Sequence, residues 1–514
     1  MSRPWNLLVY IAADNTLYND AQISLRQITD ASLFSDIKIT VQFDGPSADF
    51  ASRYKCFKGS KELLWEAPDG YTSDRGTRLS DFLNFVVPNA PSQERIMLVL
   101  WGHGAGLDHV YLYSDPQDRV PHHPNPIPKE TVETPKDGTG SKNLEDSNES
   151  QVPTTIPFDL LNPDNAHANR YLKDIRLAKI LADFSRRIGR KIDLLGLDAC
   201  LMGIAEICHE VSPSVSLIVG SDEELPKGSW PYDSIMRDLT RFPGMDANAL
   251  SAVIVSRFIE KYTREGRKTR ISLSAFSLLA CETFATSMKG LVEALSATIE
   301  DGVARRKILR ARDSSRTPDV ADYIDLGVFC QEISESFHDK SPAKHRAKEV
   351  LNLLVELPYI LYHRDAGENG SIDPFGLGIY FPQVLPPTSQ EISAAVQAEK
   401  GFHTYYLLRK RESPQTSQEF HLYRPAQGAE PILNSGTKTV TADRTKTVTA
   451  DRTKTPPADH TKELVSGRRI HRELIGSEIL WDNYVALEFN KVTGWANLVK
   501  TLIGVNQVES KPNF

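Results

Sequence analysis

The sequence predicts an α/β protein built on a mostly parallel central sheet with helices on both faces. Two patterns predict it: short apolar runs with the length of buried strands, and segments of helical spacing between them. A third observation agrees. Two of the runs end in segments carrying a histidine and a cysteine, and in such sheets functional residues gather just beyond the carboxyl ends of the strands.

The runs are residues 7–12, 37–43, 96–101, 192–197 and 215–219. Strands buried on both faces read as near-continuous apolar runs, as 7–12 and 96–101 do. Residues 79–87 and 175–188 read as helices, the second with Ile175, Leu177, Ala178, Ile180, Leu181 and Phe184 along one face. Residues 247–262 and 280–299 read as further helices. Residues 376–381 read as a strand ended by Pro382, and 485–503 as a strand and then a helix with Trp495 in its middle.

Two stretches fall outside this pattern. Residues 115–164 are rich in Pro, Asp, Glu, Ser and Thr and bury too little to offset their ordering entropy. Residues 437–444 read TKTVTADR, 445–452 repeat them, and 453–460 read TKTPPADH. An eight-residue polar unit is a low-complexity linker, not a solenoid. The expected organisation is a core over 1–400 with a mobile, disordered insertion at about 115–165. An extension over 401–482 then carries the linker and repeats, and a strand and helix over 483–505 return to the core.

The chain has 514 residues, 40% hydrophobic and 25% charged, as expected of a globular protein. Its net charge of −7 gives no basic excess, so nucleic acid is not an expected partner. No run approaches the roughly 20 apolar residues needed to span a bilayer, so no membrane is expected either. The first apolar run is short and followed at once by Asp14-Asn15, which suits a buried strand better than a signal peptide. The expected location is cytoplasmic. The five cysteines, Cys56, Cys200, Cys208, Cys281 and Cys330, have neither CxxC nor metal-ligand spacing and read as free thiols.

The chemistry sits at two strand ends. In Leu100-Trp101-Gly102-His103-Gly104-Ala105-Gly106 an apolar strand delivers a histidine between glycines, where the backbone can bend and a ligand can come close. A lone histidine is usually structural; the strand end and the glycines shift His103 toward function. In Leu195-Gly196-Leu197-Asp198-Ala199-Cys200-Leu201-Met202-Gly203 a buried strand ends at Asp198, and Cys200 opens a segment of helical spacing. A cysteine at a helix N-terminus has its thiolate favoured. The bland alternative, a buried inert thiol, suffices for the other four cysteines. Strand ends of one sheet can bring His103 and Cys200 together for nucleophilic catalysis.

Several segments resemble the clostripain family of cysteine peptidases, which has a caspase-like fold. They are Trp5 to Leu17 (WNLLVYIAADNTL), Trp101 to Gly106 (WGHGAG) and Leu197 to Val211 (LDACLMGIAEICHEV). Further matches are Val219 to Pro226 (VGSDEELP), Gly228 to Tyr232 (GSWPY), Asp322 to Leu326 (DYIDL), Gly376 to Pro382 (GLGIYFP) and Gly494-Trp495-Ala496. The resemblance implies a caspase-like sandwich that hydrolyses peptide or protein substrates after Arg or Lys. Cys200 would be the nucleophile, His103 would protonate the leaving amine, and the N–H groups of Gly104 and Cys200 would hold the oxyanion.

Basic specificity needs an acidic pocket. Asp198 matches the family's pocket acid, although a strand-end carboxylate could equally cap the following helix. Asp222 and its neighbours Glu223 and Glu224 could add negative potential. Trp230 and Tyr232 could wall the pocket, or be core aromatics. The insertion holds Lys129, Lys136 and Lys142 as candidate autocleavage sites, with an uncut spacer as the alternative. The resemblance also raises calcium as a cofactor. No EF-hand is spelled; Asp222, Glu223 and Asp325 could contribute ligands, without a basis for choosing them. The rival readings are an inactive caspase-like scaffold and a peptidase of the same fold with non-basic specificity. The sequence leaves the oligomeric state open.

Overall fold

Alternate residues of the first strand enter different cores. In β1 (Trp5–Ala12) Leu8, Tyr10 and Ala12 belong to one buried cluster, and Trp5, Leu7, Val9 and Ile11 to the other. The two-residue period of a strand makes this split inevitable in a sheet covered on both sides. The computed structural model describes residues 3–13, 17–34, 37–45, 50–68, 75–89, 94–104, 107, 174–226, 228–267, 269–315, 322–356, 359–367, 375–383, 385–386, 405–409, 420–423, 468–470 and 481–509.

After β1 come β2 (Lys38–Asp44), β3 (Ala51–Phe57), β4 (Ser60–Glu66), β5 (Arg95–Trp101), β6 (Leu194–Asp198), β7 (Leu217–Gly220), β8 (Ile271–Ser277), β9 (Tyr323–Asp325), β10 (Ile360–Ala366) and β11 (Gly378–Tyr380). Nine of them form one sheet in the order β10-β8-β7-β6-β5-β1-β2-β3-β4. The five central strands, β7 to β2 in that order, are parallel, and antiparallel strands flank them on both sides. One face is covered by the helices Tyr18–Ala31, Tyr232–Arg241 and Ala247–Arg264. The other is covered by Arg75–Val86, Asp174–Ile188, Ala205–Val211, Cys281–Ser296 and the helices that follow. This is the α/β sandwich expected from the sequence, and the five apolar runs supply the parallel core.

The hairpin of β3 and β4 was not among the expected strands. Lys58 and Gly59, with φ of 49° and 74°, make its two-residue turn. Positive φ at both central positions is what a tight hairpin requires. β4 is exposed along almost its whole length, so it has no alternation to read.

Two expectations about the C-terminal part need correction. The strand expected near 485 is absent; 481–509 forms three helices, Trp481–Val485, Glu488–Thr493 and Trp495–Glu509. Tyr484, Leu487 and Phe489 are each buried by packing on the sheet's helical layer, and Gly494, at φ 76°, ends one helix and precedes the next. A short apolar run is ambiguous between strand and helix, and tertiary packing decides it. Within 401–482, three short strands, β12 (Tyr405–Arg409), β13 (Phe420–Tyr423) and β14 (Arg468–Ile470), pair antiparallel in a second sheet. The TKTVTADR repeats and the 115–165 insertion, with Lys129, Lys136 and Lys142, lie outside the described residues. Among the described residues no helix is long and apolar enough to cross a membrane.

Candidate active site

β5 and β6 are parallel neighbours in the middle of the sheet, with Trp101 opposite Asp198. Their register carries on past the strands: the Gly102 N–H donates to the Asp198 carbonyl at 3.3 Å. The next segments, His103-Gly104 and Ala199-Cys200, therefore leave the sheet side by side. Gly104 lies so close to Cys200 that a Cβ there would sit 2.1 Å from the Cys200 carbonyl oxygen and 2.8 Å from its nitrogen. Only a glycine permits that approach. His103, Gly104 and Cys200 are all half-buried at this edge. The structure thus brings together the proposed nucleophile, the proposed histidine and both proposed oxyanion donors.

The environment of Cys200 differs from the expectation in one respect. Cys200 does not open a helix. It lies in a turn, and the helix begins only at Ala205 and has seven residues. The chain leaves β6 through Leu201 at φ 60°, a left-handed conformation that costs a non-glycine residue roughly 1 kcal/mol. The Cys200 sulfur instead meets the segment after β7. The Leu225 N–H donates to Sγ at 3.2 Å, and the Leu201 N–H donates to the Glu223 carbonyl at 3.1 Å. None of the five cysteines forms a disulfide; Cys56, Cys208, Cys281 and Cys330 are buried. Burial pushes all four of those thiols up from their ordinary values.

Asp198 is buried beneath the loop 228–232. Ser229 Oγ donates to its Oδ2, Tyr232 OH does so at 2.8 Å and the Trp230 N–H at 3.3 Å. Ser229 is itself at φ 58° and receives the Trp101 indole N–H at 2.8 Å. Burial raises the Asp198 carboxyl to about 6; the hydrogen bonds from Ser229, Tyr232 and Trp230, and the charge of Lys261, oppose that rise. The helix-cap alternative for Asp198 fails, because Ile204 and not Asp198 precedes the helix. Of the three described non-glycine residues with positive φ, Leu201 and Ser229 both border this site, where backbone strain characteristically collects.

Three other candidates, Trp230, Tyr232 and Asp222, are buried, the two aromatics in line with the core-aromatic alternative. Trp230 is fully buried in the core, with its ring against Gly196, and reaches Asp198 only through its main chain. Tyr232 is likewise buried and contributes its hydroxyl. Asp222 is 2% exposed; its Oδ1 accepts from Ser272 Oγ, and its titratable neighbours are Asp325 and His363. Asp222 braces the loop through its hydrogen bond with Ser272. Ser229, Ser272 and Leu225 were not singled out from the sequence. Ser229 could have been found from the GSWPY segment; a main-chain donor such as Leu225 N–H leaves no mark in residue type.

Of the acidic residues considered for calcium, Asp325 is engaged at both oxygens, whereas Asp222 Oδ2 has no hydrogen-bond partner among the described residues. Calcium takes six to eight oxygens. Both Asp325 carboxyl oxygens already accept main-chain N–H groups, from Val328, Phe375 and Gly376, and Asp222 Oδ1 accepts from Ser272. Among the described residues no group of three or more His, Cys, Asp or Glu is arranged to hold a metal.

A half-buried thiol at a central strand end, beside a histidine flanked by glycines, is the arrangement of an α/β thiol hydrolase. A model of the clostripain family matches residues 139–501, well over half of the chain, and the protein belongs to that family of cysteine peptidases. The match includes Cys200 and begins after His103. Among solved structures, a secreted C11 cysteine protease from Bacteroides thetaiotaomicron, "iotapain", is similar at 16% identity over 74% of this chain and 94% of that one, with a TM-score of 0.49. An inactive zymogen C11 protease from Parabacteroides distasonis is similar at 17% identity over 74% and 93%, with a TM-score of 0.46. A secreted C11 cysteine protease from B. thetaiotaomicron in complex with an irreversible peptide inhibitor is similar at 14% identity over 73% and 92%, with a TM-score of 0.48. No curated protein matches the chain.

Proposed function

We propose that this cysteine peptidase cleaves after Arg or Lys, with Cys200 as nucleophile and His103 as its acid–base partner. The seating of Gly104 on Cys200 carries this reading, because it fixes the His103 strand end beside the thiol. The Cys200 thiolate attacks the scissile carbonyl, forming a tetrahedral oxyanion between the N–H groups of Gly104 and Cys200. His103 delivers a proton to the leaving amine, the acyl-enzyme forms, and water later releases the acid. Asp198 supplies the negative charge for a basic side chain entering beside Ser229.

One observation favours the second reading, a peptidase with non-basic specificity. Asp198 is 4% exposed and already accepts three hydrogen bonds on one oxygen, so its charge is spent in part on holding the loop. Fluorogenic peptides differing only in an Arg, Lys, Ala or Leu before the scissile bond separate the readings. Preference for Arg and Lys that survives thiol alkylation counts against the thiol mechanism; equal cleavage of all four counts against the basic pocket. Self-processing at Lys129, Lys136 or Lys142 belongs to the same proposal. Mass spectrometry of wild type beside Cys200→Ala tests it, and an identical fragment pattern in both refutes it.

A further inference from the structure

We infer that the main-chain N–H of Leu225 is the donor that holds the Cys200 sulfur as its reactive thiolate, and that the Ser272–Asp222 hydrogen bond positions it. This rests on Cys200 being the nucleophile. Leu225 N–H lies 3.2 Å from Sγ, and the Leu225 carbonyl lies 3.9 Å from it on the accepting side. The protonated thiol can donate to that carbonyl, and the thiolate can accept from the N–H. A hydrogen bond to the ionised form favours ionisation, and those to charged groups are the strong ones. The usual alternative source, a helix N-terminus, is weak here. The helix starts five residues later, is seven residues long, and a dipole's influence falls off within one turn.

A single main-chain donor is useful only if its loop is held still. The segment 221–225 is tied at Ser221, Asp222 and Glu223. Gly203 N–H donates to the Ser221 carbonyl at 2.7 Å, Glu223 N–H donates to Ser221 Oγ at 3.0 Å, and the Ser221 and Ser272 hydroxyls are 3.3 Å apart. Ser272 Oγ donates to Asp222 Oδ1. Ser272 lies on β8, so its hydroxyl ties the loop that touches the sulfur to a second strand of the sheet, beside the covalent join to β7. Asp222 faces Asp325 at the end of β9, His363 on β10, and the adjacent Glu223–Arg270 pair. Ser272 and Asp222 are positioning residues: neither touches the sulfur.

The test is the pH dependence of Cys200 alkylation by iodoacetamide, followed by the mass of the peptide that contains it. It needs no turnover, and the other four thiols are buried. Wild type, Leu225→Pro, Leu225→Ala, Ser272→Ala and Ser272→Thr are compared, with folding checked by near-UV circular dichroism. Loss of the N–H in Leu225→Pro is expected to lower the neutral-pH rate about tenfold while sparing the high-pH plateau. Leu225→Ala keeps the N–H and the wild-type profile. Ser272→Ala shifts the profile in the same direction, and Ser272→Thr restores it. If Leu225→Pro does not fold, the Ser272 pair decides. An unshifted profile in folded Leu225→Pro, or in Ser272→Ala in its place, overturns the inference. Failure of the catalytic reading looks different: peptide turnover is then unaffected by Cys200→Ala, whatever the alkylation profile.

Discussion

Gly104 rests on the main chain of Cys200 so closely that a methyl group at position 104 would penetrate the Cys200 carbonyl. That contact joins the carboxyl ends of β5 and β6 beyond the sheet, and the clash is with backbone, which cannot rotate away. Gly104→Ala must therefore push the His103 segment off the thiol. A displacement of about 1 Å typically costs about 100-fold in rate. The expected result is a loss of kcat/KM of that order in a folded protein whose thermal stability falls by the cost of that overpacking, about 1–3 kcal/mol, measured with a fluorogenic peptide and a melting curve.

The proposed role of Asp198 in basic specificity carries a pH signature. Burial raises its carboxyl to about 6, so it is neutral below that pH and charged above it. Only the charged form pairs with an Arg side chain. For an Arg peptide, kcat/KM should rise with pH through about 6, while an Ala peptide should lack that limb. Asp198→Asn removes the limb and lowers the Arg-over-Ala preference by about 100-fold, because a basic side chain is then left unpaired. A limb that survives the substitution assigns it to another group.

Glu206 links site and stability. It is fully buried in the helix just after Cys200, and its Oε1 accepts from Tyr380 N–H and Tyr484 OH, both at 3.0 Å. Burial raises its carboxyl to about 7, with the hydrogen bonds opposing and Glu210 adding to the rise. A folded value above the unfolded one means that protonation favours the fold. The contribution is fully present below about 4.5 and is lost as pH rises through about 7. Urea denaturation should show stability falling from pH 5 to pH 8. Glu206→Gln should flatten that slope in part, since Asp198 and Asp325 are raised as well.

The C-terminal helices pack on the same Tyr380 that Glu206 holds. Trp495 is fully buried, donates from Nε1 to the Tyr380 carbonyl at 2.9 Å, and meets Phe329 and Phe381 edge-on. Trp495→Ala should cost about 3–5 kcal/mol in denaturant titration, the usual cost of emptying such a site.

How far the sequence could be read follows from where each element gets its instructions. The five parallel strands are buried on both faces, so residues such as Val9, Val99 and Leu195 announce them without help from the rest of the chain. His103 and Cys200 were legible because those strands end beside them. β4 was not, because Leu63 and Leu64 are exposed and pack on little. The helices from Trp481 onward were misread because their form is imposed by distant partners such as Tyr380 and Glu206. The turn at Cys200 was mistaken for a helix start because a left-handed Leu201 has no sequence signal. Leu225 contributes only a peptide N–H, which every residue but proline shares.

The central claim is that one thiol, at position 200, does the chemistry with the histidine at 103. Hydrolysis of an Arg peptide by purified wild type, Cys200→Ala and His103→Ala, each shown to be folded, tests it directly. The account predicts turnover by wild type alone. Equal turnover by the Cys200→Ala protein would contradict it.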